Sequence, residues 1–274
     1  MKCIENKEKL CRLIAYGALL FIGAIPSLVY IRKESGFVSE ATMVGLSIVA
    51  AFGAFYATIC IFTDGFVDRK VHFTIPREME RKCTICDIVK PERSHHCKIC
   101  KKCVVKMDHH CNILSVCIGH SNHGHFVRYL FFTWLGALWL FLYNAFLIFN
   151  KIFIATDSVT YPISTFILFS TLVSICIIFI TTMHLHWQTQ NMRRNITNIE
   201  LVQEHNAKYR DIKCGPSPYN QGFYSNFRDI MGSIRYLHLG PPVLDGYNWP
   251  KTFKTYYWPL IDVNAIRSEC DENI

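Results

Sequence analysis

The chain has 274 residues, of which 51% are hydrophobic and 18% are charged, and its mean hydropathy is +0.18. This composition is too apolar for an ordinary soluble domain and excludes a disordered chain, so it predicts a membrane protein. The formal net charge of +8 is explained by membrane topology and by attraction to anionic lipid, so no nucleic-acid partner is inferred from it.

Four uncharged stretches are long enough to cross the hydrocarbon core of a membrane as helices. They cover residues 13–31, 41–63, 129–150 and 158–183. The alternative, buried helices of a soluble protein, is disfavoured because so short a chain lacks the polar surface to enclose four of them. A cleaved signal peptide is an alternative for the first stretch, but its apolar run is longer than signal peptides usually have.

The spans divide the chain into four regions with unequal charge. Residues 1–64 hold the N-terminal tail and the first two spans, 65–126 a cysteine-rich loop, 127–187 the last two spans, and 188–274 a C-terminal tail. Of the 29 lysines and arginines, 26 lie in the N-terminal head, in the loop up to Arg128, and in the tail after the fourth span. By the positive-inside rule, both termini and the cysteine-rich loop are expected in the cytosol.

The cysteine-rich loop contains a repeat of 14 residues. The shift superimposes Cys83 on Cys97, Cys86 on Cys100, His95 on His109, His96 on His110, Cys97 on Cys111 and Cys103 on Cys117. Six such coincidences are too many for chance. Cysteines interleaved with histidines in a cytosolic loop favour metal binding over disulfides.

The repeat predicts two interleaved structural zinc sites, because tetrahedral zinc takes four Cys or His ligands and commonly uses a C-x2-C pair. The first set is Cys83, Cys86, His96 and Cys103, and the 14-residue shift generates the second set, Cys97, Cys100, His110 and Cys117. The spacing leaves open whether His95 or His96 is the ligand of the first set, and His96 is the preferred assignment.

One cysteine of the cluster, Cys111, is left over, because Leu114 occupies the position where a third C-x2-C pair would continue. Asp108 and His109 precede it. A thiol becomes a nucleophile at neutral pH when an imidazole lowers its pKa or takes its proton, and a carboxylate can orient that imidazole. We therefore interpret Cys111 as a nucleophile; a spare packing cysteine is the alternative.

These residues resemble the DHHC family of protein S-acyltransferases, which is named for the tetrapeptide at positions 108–111. The resemblance extends over the four spans, the cysteine-rich loop between spans two and three, and two segments of the tail. It implies an all-α membrane protein with four transmembrane helices and a cytosolic cysteine-rich domain that binds two structural zinc ions. By the same resemblance, Cys111 carries an acyl group as a thioester, His109 is its base, and Asp108 orients His109.

The resemblance also implies a two-step reaction with long-chain acyl-CoA, expected to be palmitoyl-CoA, as co-substrate. Cys111 takes the acyl group and passes it to membrane-proximal cysteines of substrate proteins. Membrane lipid is a further partner, because the basic regions attract anionic lipid. A cavity among four helices can bury the acyl chain of the co-substrate at about 0.8 kcal/mol per CH₂ group. No residue is assigned to CoA binding, and an endomembrane location, the ER or the Golgi, is expected.

Two tail segments extend the resemblance. Residues 197–200 resemble a Thr-Thr-x-Glu element whose polar side chains support the catalytic region, and residues 217–226 resemble a C-terminal motif whose asparagine anchors the tail against the helices. The supporting residues expected on this basis are Thr197, Asn198, Glu200 and Asn226.

The chain departs from the family pattern at several positions. Asn112 and Ile113 replace the Pro-Trp that usually follows the catalytic cysteine, Val116 and Asn198 replace an Asn and a Thr, and Asp64-Gly65 is a reduced Asp-Pro-Gly. The change beside Cys111 puts the preferred length of the acyl chain and the turnover rate in question.

One rival interpretation is a catalytically silent DHHC-like membrane adaptor. Another is a RING-type ubiquitin ligase, which would need a further C-x2-C pair downstream. Because the nucleophile, its two partners and all eight ligands are present, an active enzyme is favoured.

Overall fold

The computed structural model describes residues 37–71, 73, 75, 80–153, 161–212, 214–236, 239–253, 255, 258 and 259, with five α-helices and six short β-strands among them. The helices are α1 Phe37–Phe62, α2 His123–Phe153, α3 Tyr161–Arg194, α4 Asn198–Tyr209 and α5 Phe223–Met231. The strands are β1 Lys82–Cys83, β2 Ile88–Val89, β3 His95–Cys97, β4 Lys102–Val104, β5 His109–Cys111 and β6 Val116–Ile118.

The described residues belong to two compact units. The first combines the described part of Met1–Ile59 with Val127–Trp187, and the second combines Cys60–Phe126 with the described part of Gln188–Ile274. The first unit holds the apolar helical segments, and the second holds all six strands together with α4 and α5.

Three helices are long and apolar enough to cross a membrane: Phe37–Phe62, His123–Asn150 and Ile167–Arg194. They contain most of the second, third and fourth predicted spans, whereas the first predicted span, 13–31, lies outside the described residues. The last helix continues well past its apolar run. It ends where Asn195 adopts a left-handed conformation (φ 46°) and Ile196 N–H bonds to the Asn191 carbonyl, which is a Schellman-type C-terminus.

Close packing in the first unit depends on small and polar residues as well as apolar ones. Tyr143, Leu147 and Ile167 form a buried cluster. Fully buried Asn144 donates a hydrogen bond from Nδ2 to Ser170 Oγ at 3.0 Å, so α2 and α3 are also joined by a polar contact. These contacts position two of the membrane-type helices against each other.

The cysteine-rich segment forms three antiparallel hairpins, β1 with β2, β3 with β4 and β5 with β6. The expectation of an all-α fold is therefore wrong for this segment, and the protein is mostly helical. In each hairpin, the first cysteine of the turn is the strand partner of the residue five positions later. The last residue of the turn has a left-handed backbone conformation, and these residues are Asp87, Lys101 and Ser115. The 14-residue repeat is thus a repeat of one hairpin.

A buried arginine joins the hairpins to the tail within the second unit. Arg93 donates from Nε and Nη2 to the two carboxylate oxygens of Glu200, each at 2.7 Å, and from Nη2 to the Asn195 carbonyl at 2.8 Å. Its guanidinium lies 4.0 Å from the ring centroid of Tyr219 and 4.9 Å from that of Trp249. Bidentate pairing and stacking on aromatic rings are geometries that only arginine provides.

We expect Arg93→Met to lower the free energy of unfolding by about 3 to 5 kcal/mol, because it leaves the buried Glu200 carboxylate without its partner. Thermal unfolding of the purified protein in detergent, followed by tryptophan fluorescence, measures the effect. The double variant Arg93→Met with Glu200→Gln should regain part of the loss. Exposed Arg235 provides a matched control, and equal destabilisation by Arg235→Met would contradict the prediction.

Candidate active site and metal centres

Two sets of four Cys and His side chains have donor atoms that all lie within 4.8 Å of one another. They are Cys83, Cys86, His96 and Cys103, and Cys97, Cys100, His110 and Cys117. In the first set, the structure brings His96 rather than His95 to the cysteines. Side chains alternate between the two faces of a strand, so neighbouring histidines point in opposite directions. Both sets can therefore hold a metal ion.

Each set connects one hairpin to the next. It takes the two cysteines from the turn of one hairpin and a His/Cys pair that faces across the strands of the following hairpin. The facing pairs are His96 with Cys103 and His110 with Cys117. Directly opposed residues in an antiparallel pair place their side chains on the same face, so both donors reach the same point.

The spacing of the donors fits tetrahedral zinc. The His96 Nδ1 atom lies 3.5, 3.3 and 3.9 Å from the sulfurs of its three cysteines, and His110 Nδ1 lies 3.6, 3.4 and 3.6 Å from those of its own set. Zinc bonds of about 2.3 Å to sulfur and 2.0 to 2.1 Å to nitrogen place tetrahedral S and N donors about 3.6 Å apart. Three cysteines and one histidine are also a common donor set of structural zinc.

The third hairpin repeats the turn of the other two, but without a complete donor set. Leu114 N–H points to Cys111 Sγ at 3.5 Å. The equivalent contacts are Cys86 N to Cys83 Sγ at 3.4 Å and Cys100 N to Cys97 Sγ at 3.3 Å. Leu114 stands where the other turns have their second cysteine, and Cys111 belongs to neither donor set in the described part of the chain. Its sulfur is therefore available for chemistry.

Asp108 and His109 lie beside this thiol. Asp108 Oδ2 is 2.8 Å from His109 Nδ1, which leaves Nε2 as the other hydrogen-bonding atom of the ring. The ring of His109 also packs edge-on against Phe126, with centroids 5.1 Å apart. An imidazole held between a buried carboxylate and a thiol is the arrangement that thiol nucleophiles use.

The Asp108 carboxylate is fully buried and accepts four hydrogen bonds. Asn198 N–H reaches Oδ1 at 2.7 Å, so the N-terminus of α4 points at the carboxylate. The other three donors all reach Oδ2: His109 Nδ1 at 2.8 Å, Asn198 Nδ2 at 2.8 Å and Gln188 Nε2 at 3.1 Å. A helix N-terminus and several donors both favour the ionised form of a carboxylate.

The pKa values in this site follow from these contacts. Burial alone would raise the pKa of Asp108, but the hydrogen bond from His109, the nearby His123 and the Asn198 amide hold it well below its usual value. Burial likewise opposes protonation of His109, yet its contacts with Asp108 and Cys111 outweigh burial and raise the pKa of His109 to about 9. The site therefore favours an aspartate anion beside a protonated imidazole.

Three of the four supporting residues lie at the N-terminus of α4, and the fourth, Asn226, contacts the end of α3. Thr197 is the N-cap, and its side chain and that of Glu200 form a reciprocal capping box. Asn198 supplies two of the donors to Asp108. Asn226 is fully buried, and its Nδ2 donates to the carbonyl of Arg193 in the last turn of α3 at 3.0 Å.

Sequence reasoning missed three side chains of this network. Gln188 contacts Asp108 directly, His123 contacts Gln188, and Asn191 contacts Asn198. The first and third lie beyond the apolar run of the fourth span, where polar residues are normally interpreted as interfacial. Their spacing of three residues places them on one face of a helix and was the available signal.

The described residues thus include a thiol outside both donor sets, an Asp-His pair, two Cys3His sets that could hold metal, and membrane-type helices. A family model described as DHHC palmitoyltransferase matches residues 77–205, which include both donor sets, Cys111 and the segment 197–200. This match supports assignment of the chain to the DHHC palmitoyltransferase family. The RING-type alternative is thereby set aside.

We expect the purified protein to contain two zinc ions per chain, measured by inductively coupled plasma mass spectrometry. Cys86→Ala should lose about one equivalent and destabilise the hairpins, because structural zinc supplies folding free energy. Cys111→Ala is the matched control and should retain both ions. Loss of zinc from the Cys111 variant would show that a ligand had been mistaken for a free thiol.

Proposed function

We propose that this protein is an S-acyltransferase that takes a long-chain acyl group, palmitoyl in the first instance, from acyl-CoA and transfers it to cysteines of substrate proteins. The observation that carries the proposal is a thiol excluded from both donor sets, Cys111, beside the buried Asp108–His109 pair. All three residues lie inside the segment that matches the DHHC family model. Asp108 orients the ring, His109 handles the proton, and Cys111 is the nucleophile.

In the first step, Cys111 Sγ attacks the thioester carbonyl of acyl-CoA. A new bond forms between Sγ and the carbonyl carbon, the bond from that carbon to the CoA sulfur breaks, and CoA leaves as a thiol. The His109 ring, which holds the proton of the Cys111 thiol, donates that proton to the departing sulfur. The ring keeps one orientation throughout, because its Nδ1 is held by Asp108 at 2.8 Å.

In the second step, the thiol of a substrate protein attacks the acyl group on Cys111. The bond between the acyl carbon and Cys111 Sγ breaks, and the substrate cysteine becomes acylated. His109 accepts the proton of the incoming thiol, and Cys111 returns to its starting state. Because one thioester replaces another in each step, no additional energy source is needed.

The two donor sets serve this chemistry by holding the hairpins in place. Zinc, when bound, supplies structure rather than a reacting group, since four protein ligands leave no open coordination position. His110 belongs to the second set and is the direct neighbour of both His109 and Cys111 in the chain. Coordination at His110 would therefore fix the backbone that carries the two reacting side chains.

The proposed topology follows from charge. Both termini and the cysteine-rich segment face the cytosol, since 26 of the 29 lysines and arginines lie in those regions. The substrates are then proteins with cysteines near the cytosolic surface of an endomembrane, the ER or the Golgi. The division of the chain at residues 64, 126 and 187 and the fourth transmembrane helix belong to the same proposal.

We expect wild-type protein incubated with radiolabelled palmitoyl-CoA to acquire label that hydroxylamine removes, because hydroxylamine cleaves thioesters. Cys111→Ser should acquire none. Cys214 is a partly buried cysteine of the tail, and Cys214→Ser is the matched control that should label normally. Label that survives in Cys111→Ser and disappears in Cys214→Ser would contradict the assignment. A wild-type protein without label would instead point to a silent adaptor.

We expect Asp108→Asn to slow acylation of Cys111 by about a hundredfold or more, because the His109 ring loses its charged partner. Rapid-quench measurement of thioester formation gives the rate, and the zinc content should stay at the wild-type level. Exposed Asp211 provides the matched control, Asp211→Asn. An unchanged rate in the Asp108 variant would remove Asp108 from the mechanism.

A further inference from the structure

The last turns of α3 bring two buried carboxamides to the catalytic carboxylate. Gln188 and Asn191 are both buried, and their spacing of three residues places them on one face of the helix. Gln188 donates directly to Asp108 Oδ2 at 3.1 Å. Asn191 donates from Nδ2 to Asn198 Oδ1 at 2.8 Å, and Asn198 in turn donates to Asp108.

We propose that Gln188 is a positioning residue for Asp108, and that His123 holds the Gln188 carboxamide in its productive orientation. The role rests on the proposed acyl-transfer function, because it acts only through the catalytic carboxylate. Neither Gln188 nor His123 belongs to the DHHC tetrapeptide, to the donor sets or to the segment 197–200.

The orientation of Gln188 is determined by its two neighbours. His123 Nε2 lies 2.7 Å from Gln188 Oε1, so the Nε2–H tautomer of the ring donates to that oxygen. The amide nitrogen of Gln188 is then directed to the Asp108 carboxylate. A flipped amide would place its oxygen against the Asp108 carboxylate, which is repulsive, and would also lose the hydrogen bond from the Nε2–H tautomer of His123.

The side-chain carboxamide of Asn198 is oriented in the same way. Its Oδ1 accepts from Asn191, which leaves its Nδ2 to donate to Asp108 Oδ2. Two carboxamides, each oriented by a second residue, therefore converge with His109 on one carboxylate oxygen. With the other oxygen held by the Asn198 backbone amide, the carboxylate cannot rotate without breaking several hydrogen bonds. A fixed carboxylate fixes the direction of the His109 ring.

A purely structural role for Gln188 predicts a different result from a positioning role. If the side chain only satisfied a buried polar site, its removal would change the stability of the protein and leave the rate of the folded enzyme unchanged. If it positions Asp108, its removal lowers the maximal rate of Cys111 acylation and leaves the KM for palmitoyl-CoA unchanged. The reason is that Gln188 acts through Asp108 on His109 and not on the co-substrate.

The test uses full-length protein and radiolabelled palmitoyl-CoA. Gln188→Met keeps the length of the side chain and removes its donor, and it should lower the maximal acylation rate about tenfold, the factor expected for losing one hydrogen bond to a charged group. The KM should stay within about twofold of wild type. Exposed Gln190 on the same helix gives the matched control, Gln190→Met, which should behave as wild type.

A double-mutant cycle separates the two roles. In an Asp108→Asn background, Gln188→Met should cause no further loss, because the residue acts through that carboxylate. A full tenfold loss in this background, or a wild-type rate for Gln188→Met alone, would overturn the proposal.

If Gln188→Met loses zinc or fails to fold, His123→Phe replaces it, with an expected loss of about threefold in the acylation rate. An unchanged rate in the His123 variant overturns the proposal as well. A wild type without label would refute the proposed function and this role together, whereas a labelled wild type with an unaffected Gln188→Met refutes the role alone.

Discussion

The linkage of each hairpin to the next by a shared donor set is the constraint on which the site depends. A facing His/Cys pair always completes the set that the preceding turn begins. The third turn has no hairpin after it, because the chain continues into α2 at His123. Cys111 therefore occupies a ligand position of the repeated turn without a set to complete. The repeat itself therefore leaves the Cys111 thiol outside both donor sets, and Asp108 and His109 precede it in the same hairpin segment.

A second constraint brings the Asp108 carboxylate to its donors. Glu200 accepts the Thr197 backbone N–H at 2.9 Å and binds the buried Arg93 guanidinium, so one carboxylate both begins helix α4 and attaches it to the loop before β3. The first N–H of that helix then reaches Asp108. The Arg93–Glu200 pair is far from a simple surface ion pair, because removing either partner leaves a buried charge and also displaces a helix terminus.

The two donor sets and the cysteine outside them were predictable from sequence because metal-binding chemistry restricts the residue types. A cysteine or histidine is needed at each ligand position, so a 14-residue shift makes the pattern visible. The hairpins were not predictable, since strands of two or three residues carry no alternating pattern. The contacts of Gln188 and Asn191 were not predictable either. Their spacing indicates a shared helix face, but polar residues after an apolar span have the same sequence signature whether they face water or a buried carboxylate.

Two positions near the site depart from the family pattern, Asn198 and the pair Asn112-Ile113, and they differ in what they change. Asn198 stands where the family pattern has a threonine, and its longer side chain still donates to Asp108 because Asn191 orients the amide. The change is therefore balanced by a neighbour, and the carboxylate keeps its donors. Next to Cys111, Asn112 and Ile113 both lie in the exposed turn, and half of the Ile113 surface is exposed. A branched aliphatic side chain there offers a smaller apolar surface than tryptophan and no ring N–H. It follows that Asp108, His109 and Cys111 are all present, while the surface beside the sulfur differs from the family pattern. Under the proposed function, selectivity for the acyl group is the property that this change can alter.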